Sequence, residues 1–129
     1  MEDREPTFEE IEEMAEGGSV PACAYIGNAY YYGWICEQDL EKALKYLTVA
    51  ANGCVPLSQF TLGFMYSTGR GVEHPDLEEA SKWFLAAGFQ GVPEAMYDAG
   101  QILMKIGDKS TKERGKEWVR RAKEAGYPD

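Results

Sequence analysis

His74 is the single histidine of the chain, and it stands in the loop Glu73-His74-Pro75-Asp76. A base held by an acid is one part of nucleophilic catalysis, which also needs a nucleophile in reach. Asp76 has a simpler role, because Asp76-Leu77-Glu78-Glu79 is a capping box that opens a helix. A metal centre needs several His, Cys or carboxylate ligands at set spacings, and no such spacing is present. Cys23, Cys36 and Cys54 are odd in number and form no close pair, so they read as reduced thiols and not as a disulfide framework. Gly69-Arg70-Gly71 lacks the trailing Gly-Lys-Ser/Thr of a phosphate-cradling loop and reads as a turn. The carboxylates Glu9, Glu10, Glu12 and Glu13 read as a solvated face, or as a face for a basic partner. The expectation is a chain with no catalytic residue, no metal and no cofactor.

What remains is the chemistry of binding, carried by aromatic and amide side chains that recur at helical spacing. The elements that must position them follow a repeat. Gly27, Gly63 and Gly100 stand 36 and 37 residues apart, and a fixed period of that size marks a repeat architecture. Around each glycine lies a stripe of small and apolar residues. The stripes read Ala22, Cys23, Ile26, Tyr30; Ser58, Gln59, Leu62, Tyr66; and Ala95, Met96, Ala99, Leu103. Each stripe begins near a proline (Pro21, Pro56, Pro93), which a helix tolerates in its first turn. A mid-helix glycine costs about 1 kcal/mol relative to alanine, so its recurrence predicts a close helix crossing, read here as the contact between successive hairpins. Second helices start at Asp39, at Asp76 and at Ser110 or Thr111, all good N-caps. They end at or near Gly53, Gly91 and Gly126. A short leading helix opens with the capping box Thr7-Phe8-Glu9-Glu10 and stops at Gly17-Gly18.

The pattern predicts an all-α, right-handed superhelix, a solenoid of antiparallel helix pairs with about seven helices. One domain over 1–129 divides into a capping helix at 8–16 and repeats at 18–53, 54–90 and 91–127. An apolar content of 44% is enough for a core. The acidic N-terminus has no apolar stretch behind it, so neither a signal peptide nor a membrane span is expected, and a cytoplasmic setting is the default. The formal net charge is −9, which argues against nucleic acid and permits a basic protein partner. The charge is uneven: residues 1–104 carry 5 Lys/Arg and 17 Asp/Glu, whereas 105–129 carry 8 and 5.

These residues resemble the Sel-one-like repeat family, a relative of the tetratricopeptide repeats. The middle repeat, Ser58 to Gly91, carries nearly the whole pattern: Leu62-Gly63, Tyr66, Gly69-Arg70-Gly71-Val72, Asp76, Ala80, Trp83, Ala86-Ala87 and a closing glycine. The first repeat replaces the loop's Gly-Val with Ile35-Cys36. The third lacks the Gly-x-Gly turn, has Leu103 for the tyrosine and places Gly115 where an alanine is expected. The resemblance implies protein binding by a scaffold or adaptor. A cysteine-rich subgroup is linked to β-lactam binding or hydrolysis, but the cysteines of this chain do not fall in that subgroup's pairing.

In such stacks the first helices line the concave surface. Asn28, Tyr31, Tyr32, Phe60, Phe64, Tyr97, Gln101 and Met104 then point inward or lie at the rim. The aromatic strip reads as the grip for an apolar segment of a partner, with Asn28 and Gln101 fixing its backbone; the competing reading has the rings pack on one another as core. Trp34, in the first repeat's loop, reads as a lid over the first hairpin or as a binding tip. Glu9 and Glu13 offer a second contact that would steer a basic target. A sharper version makes the chain an immunity or antitoxin protein against a basic toxin. The rival readings are a small-molecule-binding or hydrolytic relative, and a self-assembling scaffold in which the acidic leading helix meets the basic segment Lys112–Lys123.

Overall fold

The computed structural model describes residues 4–128; Met1, Glu2 and Asp3, part of the acidic N-terminus, and Asp129 lie outside the described residues. Seven helices follow in order: α1 (Phe8–Glu16), α2 (Val20–Tyr32), α3 (Leu40–Asn52), α4 (Pro56–Thr68), α5 (Leu77–Phe89), α6 (Pro93–Ile106) and α7 (Lys109–Glu124). The described residues contain no strand. Each helix packs on the next in the chain, which gives a solenoid of hairpins α2–α3, α4–α5 and α6–α7 behind the single helix α1.

Local chemistry sets the boundaries. The Thr7, Ser19, Asp39 and Asp76 side chains each accept a hydrogen bond from a backbone N–H of the first turn of the helix that follows, satisfying a donor the helix cannot. The helices α4 and α6 have Val55 and Val92 at the cap, with no side-chain bond, and begin on Pro56 and Pro93. One boundary differs from expectation. The last helix starts at Lys109, not at Ser110 or Thr111, because Asp108 is the cap: its carboxylate accepts from the Thr111 N–H at 2.9 Å. That bond holds the Asp108 carboxyl below its ordinary range.

The pivot glycines mark close crossings, but within each hairpin and not between successive ones. A Cβ added at Gly27 would lie 2.7 Å from the Leu47 side chain on α3, and one at Gly63 would lie 2.8 Å from the Phe84 ring on α5. At Gly100 it would meet the Gly115 carbonyl oxygen of α7 at 2.6 Å. A Cβ at Gly115 would meet the Gly100 carbonyl at 2.7 Å, so glycine replaces the expected alanine where the two backbones touch. Alanines fill the other crossings: Ala29, Ala43, Ala50, Ala80, Ala87, Ala95, Ala99 and Ala122 are fully buried.

The helix α1 is clamped to the first hairpin by tyrosines. Phe8 meets the Tyr30 ring edge-on at 5.8 Å, and Tyr30 stacks on Tyr46 at 6.2 Å. The Tyr30 hydroxyl donates to Glu12 at 2.6 Å, and the Tyr46 hydroxyl donates to Glu16. Burial and these carboxylates push both phenols well above the usual range. Further along, Gln59 donates to the Ala51 carbonyl at 3.2 Å, and Gln90 donates both to the Gln59 side-chain oxygen at 2.9 Å and to the Cys54 carbonyl at 3.1 Å. This relay ties the second hairpin to the first.

Candidate partner-binding groove

The first helices of the three hairpins form one wall, and a groove of about 330 Å³ opens in it. Its lining comes from all three: Tyr31 and Tyr32 from the last turn of α2, Phe60, Thr61 and Phe64 from α4, and Asp98 from α6. Tyr31 is buried and Phe60 is half-buried, its ring 5.6 Å from that of Phe84 in the core. These two residues are the anchored part of the lining. Tyr32 is 57% exposed and Phe64 43% exposed.

The aromatic surface continues beyond the groove. Tyr32 meets Tyr31 edge-on at 4.9 Å and stacks on Trp34 at 5.2 Å. Trp34 therefore folds back onto the end of α2, yet it stays 45% exposed; Cys36 is the loop residue that packs on the core. Ile35 beside it is 77% exposed. The Arg70 guanidinium lies over the Tyr31 ring at 5.6 Å.

Aromatic spacing alone reveals neither Thr61 nor the remaining lining residue, Asp98. Its side chain is half-buried, and no hydrogen bond or ion pair engages it among the described residues. Burial pushes its carboxyl above the ordinary range, and Glu94 adds to the shift. Asp98 shares a register with Tyr25 and Thr61, 36 and 37 residues apart and one position after the row Ala24, Phe60 and Tyr97, but Tyr25 does not line the groove.

The other candidate residues lie elsewhere. Tyr97 is stacked on Tyr127 at 4.3 Å, so the segment after α7 covers its ring. Gln101 and Met104 line a separate cleft with Leu77, Ile102 and Lys105. Met104 also contacts α7 beside Gly115. Asn28 is half-buried on α2 and is not part of the groove lining. Glu9 and Glu13 are exposed and share a shallow acidic depression with Glu12 and Glu16. His74 is exposed beside the Pro75 carbonyl, while Asp76 is engaged as the α5 cap. No three His, Cys, Asp or Glu gather to hold a metal among the described residues, and none of their helices is long and apolar enough to cross a membrane.

The Sel1 repeat model matches three times, at residues 20–53, 56–91 and 93–127. The chain belongs to the Sel1-repeat family. Repeats of this family act in protein–protein interaction. Two solved structures are similar. One is a Sel1 repeat protein from Oxalobacter formigenes, 31% identical with a TM-score of 0.74 over 91% of this chain and 88% of that one. The other is a protective antigen present in uropathogenic Escherichia coli strains and displaying an SLR fold, 27% identical with a TM-score of 0.79 over 95% of this chain. This chain spans 26% of the length of that antigen.

The Sel1 register exposes two residues out of character. In the loop after each first helix, Gly71 of the second repeat takes a left-handed φ of 82°, and Ile35 of the first repeat takes the same conformation at 65°. In the turn after the second helices, Gly91 and Gly126 are left-handed, and so is Cys54 at 67°. A β-branched residue rarely adopts this conformation, so Ile35 carries strain while exposing an apolar side chain.

Proposed function

We propose that this Sel1-repeat chain is an adaptor that grips an apolar segment of a protein partner in the groove between α2, α4 and α6. The observation that carries the reading is the exposure of Tyr32 and Phe64 along a groove in which Tyr31 and Phe60 are held by the core. Trp34 and Ile35 extend the apolar surface past the rim. Contiguous exposed apolar surface of this kind marks interaction sites, and rigid aromatics anchored from behind bury area at low entropic cost. The acidic balance of the chain favours a partner of opposite charge.

The test is affinity capture from the native host followed by binding of the purified partner to a Tyr32→Ala/Phe64→Ala double variant. Both side chains are exposed, so the helical circular dichroism should persist. Binding should weaken by roughly 100-fold or more, as two hot-spot rings imply. A partner that binds the folded double variant as tightly as the parent chain would remove the groove from consideration.

A further inference from the structure

The groove combines two features that single out the group it would hold. Four of its six lining residues are aromatic, and aromatic faces attract cations. The chain itself shows this on the same wall, where Arg70 lies over Tyr31. The second feature is Asp98, a half-buried carboxylate with no cation engaged among the described residues and with a like charge, Glu94, as its electrostatic neighbour. A desolvated carboxylate without a counter-charge is unfavourable, and a ligand cation would supply the missing partner. Asp98 is also peculiar to its repeat: the matching positions are Tyr25 and Thr61, so the repeat pattern does not demand a carboxylate there.

We infer that the groove takes a lysine or arginine side chain of a protein partner, its alkyl stem along Tyr32 and Phe64 and its charged head against Asp98. The inference rests on the proposed binding role of this groove and names what that role selects. The occupant is a polypeptide and not a free amine because the aromatic surface runs on past the groove to Trp34 and Ile35, farther than one side chain covers. A volume of about 330 Å³ in an open groove suits a single long side chain with flanking backbone and lies at the small end for a cofactor site, typically about 300–1,000 Å³.

The probe is a peptide selected from a random twelve-residue display library on the parent chain, with counter-selection on the Tyr32→Ala/Phe64→Ala variant. Groove-dependent peptides should share a Lys or Arg at one register beside an apolar residue. In calorimetric titration, Asp98→Asn should weaken such a peptide by about tenfold or more, and replacing its basic residue with norleucine should weaken it comparably. Applied together, the two changes should cost little more than either alone, the signature of a direct pair. Asp98→Glu should recover part of the affinity. Groove-dependent peptides without a shared basic residue, or full affinity for Asp98→Asn, would overturn the inference and leave the groove standing. Failure to recover any groove-dependent peptide would overturn both.

Discussion

Asp98 and Ile35 are both held in states that the fold alone does not reward. Asp98 titrates among Glu94 on its own helix, Tyr31 and Tyr32 across the groove with Arg70 over Tyr31, and Tyr127 from the segment after α7. Burial raises its folded pKa above the ordinary 3.8. A carboxyl raised in this way binds its proton more tightly in the folded than in the unfolded chain. Its contribution to stability is therefore full below about 3.8 and is lost as pH rises through the folded pKa. Asp98→Asn should accordingly raise the Tm at pH 7, with the gap to the parent chain closing as pH falls through the folded pKa and gone below about 3.8. An unchanged or lowered Tm at pH 7 would mean that the carboxylate has a stabilising partner. Ile35 makes the same argument through its backbone. Relieving a left-handed β-branched residue returns about 1–2 kcal/mol, and glycine gives back about 0.5–1 through the unfolded chain. Ile35→Gly should thus stabilise by about 0.5–1 kcal/mol in urea unfolding while weakening partner binding. Cys54→Gly, at the other non-glycine left-handed position, is the control. It should shift stability in the same direction and leave binding alone, since Cys54 lies outside the groove lining.

At the scale of elements, the two helices of each hairpin are held at their distance by a pivot glycine, and the three are not equivalent. An alanine at Gly27 meets the Leu47 side chain at 2.7 Å and its backbone nitrogen at 3.1 Å, and one at Gly63 meets the Phe84 ring at 2.8 Å; both side chains are fully buried. At Gly100 it meets backbone, the Gly115 carbonyl, which cannot turn aside without moving α7. Overpacking costs about 1–3 kcal/mol, against about 1 kcal/mol gained in helix propensity. Urea unfolding should rank the loss for Gly100→Ala above those for Gly63→Ala and Gly27→Ala, with Gly100→Ala at about 2 kcal/mol or more. A Gly100→Ala variant as stable as the parent chain would show that α6 and α7 are not in backbone contact. The positions of these glycines were legible because a costly residue recurring at one register needs a reason. Their partners were not, because a notch records that something approaches without recording which helix it is. The α7 cap shows a similar limit: Asp108, Ser110 and Thr111 are all capping types within four residues, and the path from Gly107 decides among them. Four aromatic groove residues could be found from helical spacing. Asp98 could not, because the adjacent Tyr97 shares its turn, and only the Tyr97–Tyr127 stack shows which of the two is left to line the groove.

Across the whole molecule, charge and groove divide the work of recognition into an approach and a hold. The net charge is −9, and much of the basic complement of α7 is met within that helix: Arg120 pairs with Glu117 and Glu124, Arg121 with Glu117, and Lys116 with Glu113. On α1, Glu16 is taken up by Tyr46 and Lys45, and Glu12 by Tyr30, while Glu9 and Glu13 stay exposed. A long-range field of this kind speeds encounter with a basic partner and is screened over a Debye length of about 10 Å at 0.1 M salt. A contact inside the groove acts instead on the lifetime of the complex. With the selected basic peptide as probe, stopped-flow association should slow as salt rises and should slow again for Glu9→Gln/Glu13→Gln, by about two- to threefold at low salt, with the dissociation rate unchanged. Asp98→Asn should do the reverse and accelerate dissociation by about tenfold with little change in association. If Glu9→Gln/Glu13→Gln accelerates dissociation instead, α1 touches the bound partner directly and the interface extends over the N-terminal end of the solenoid.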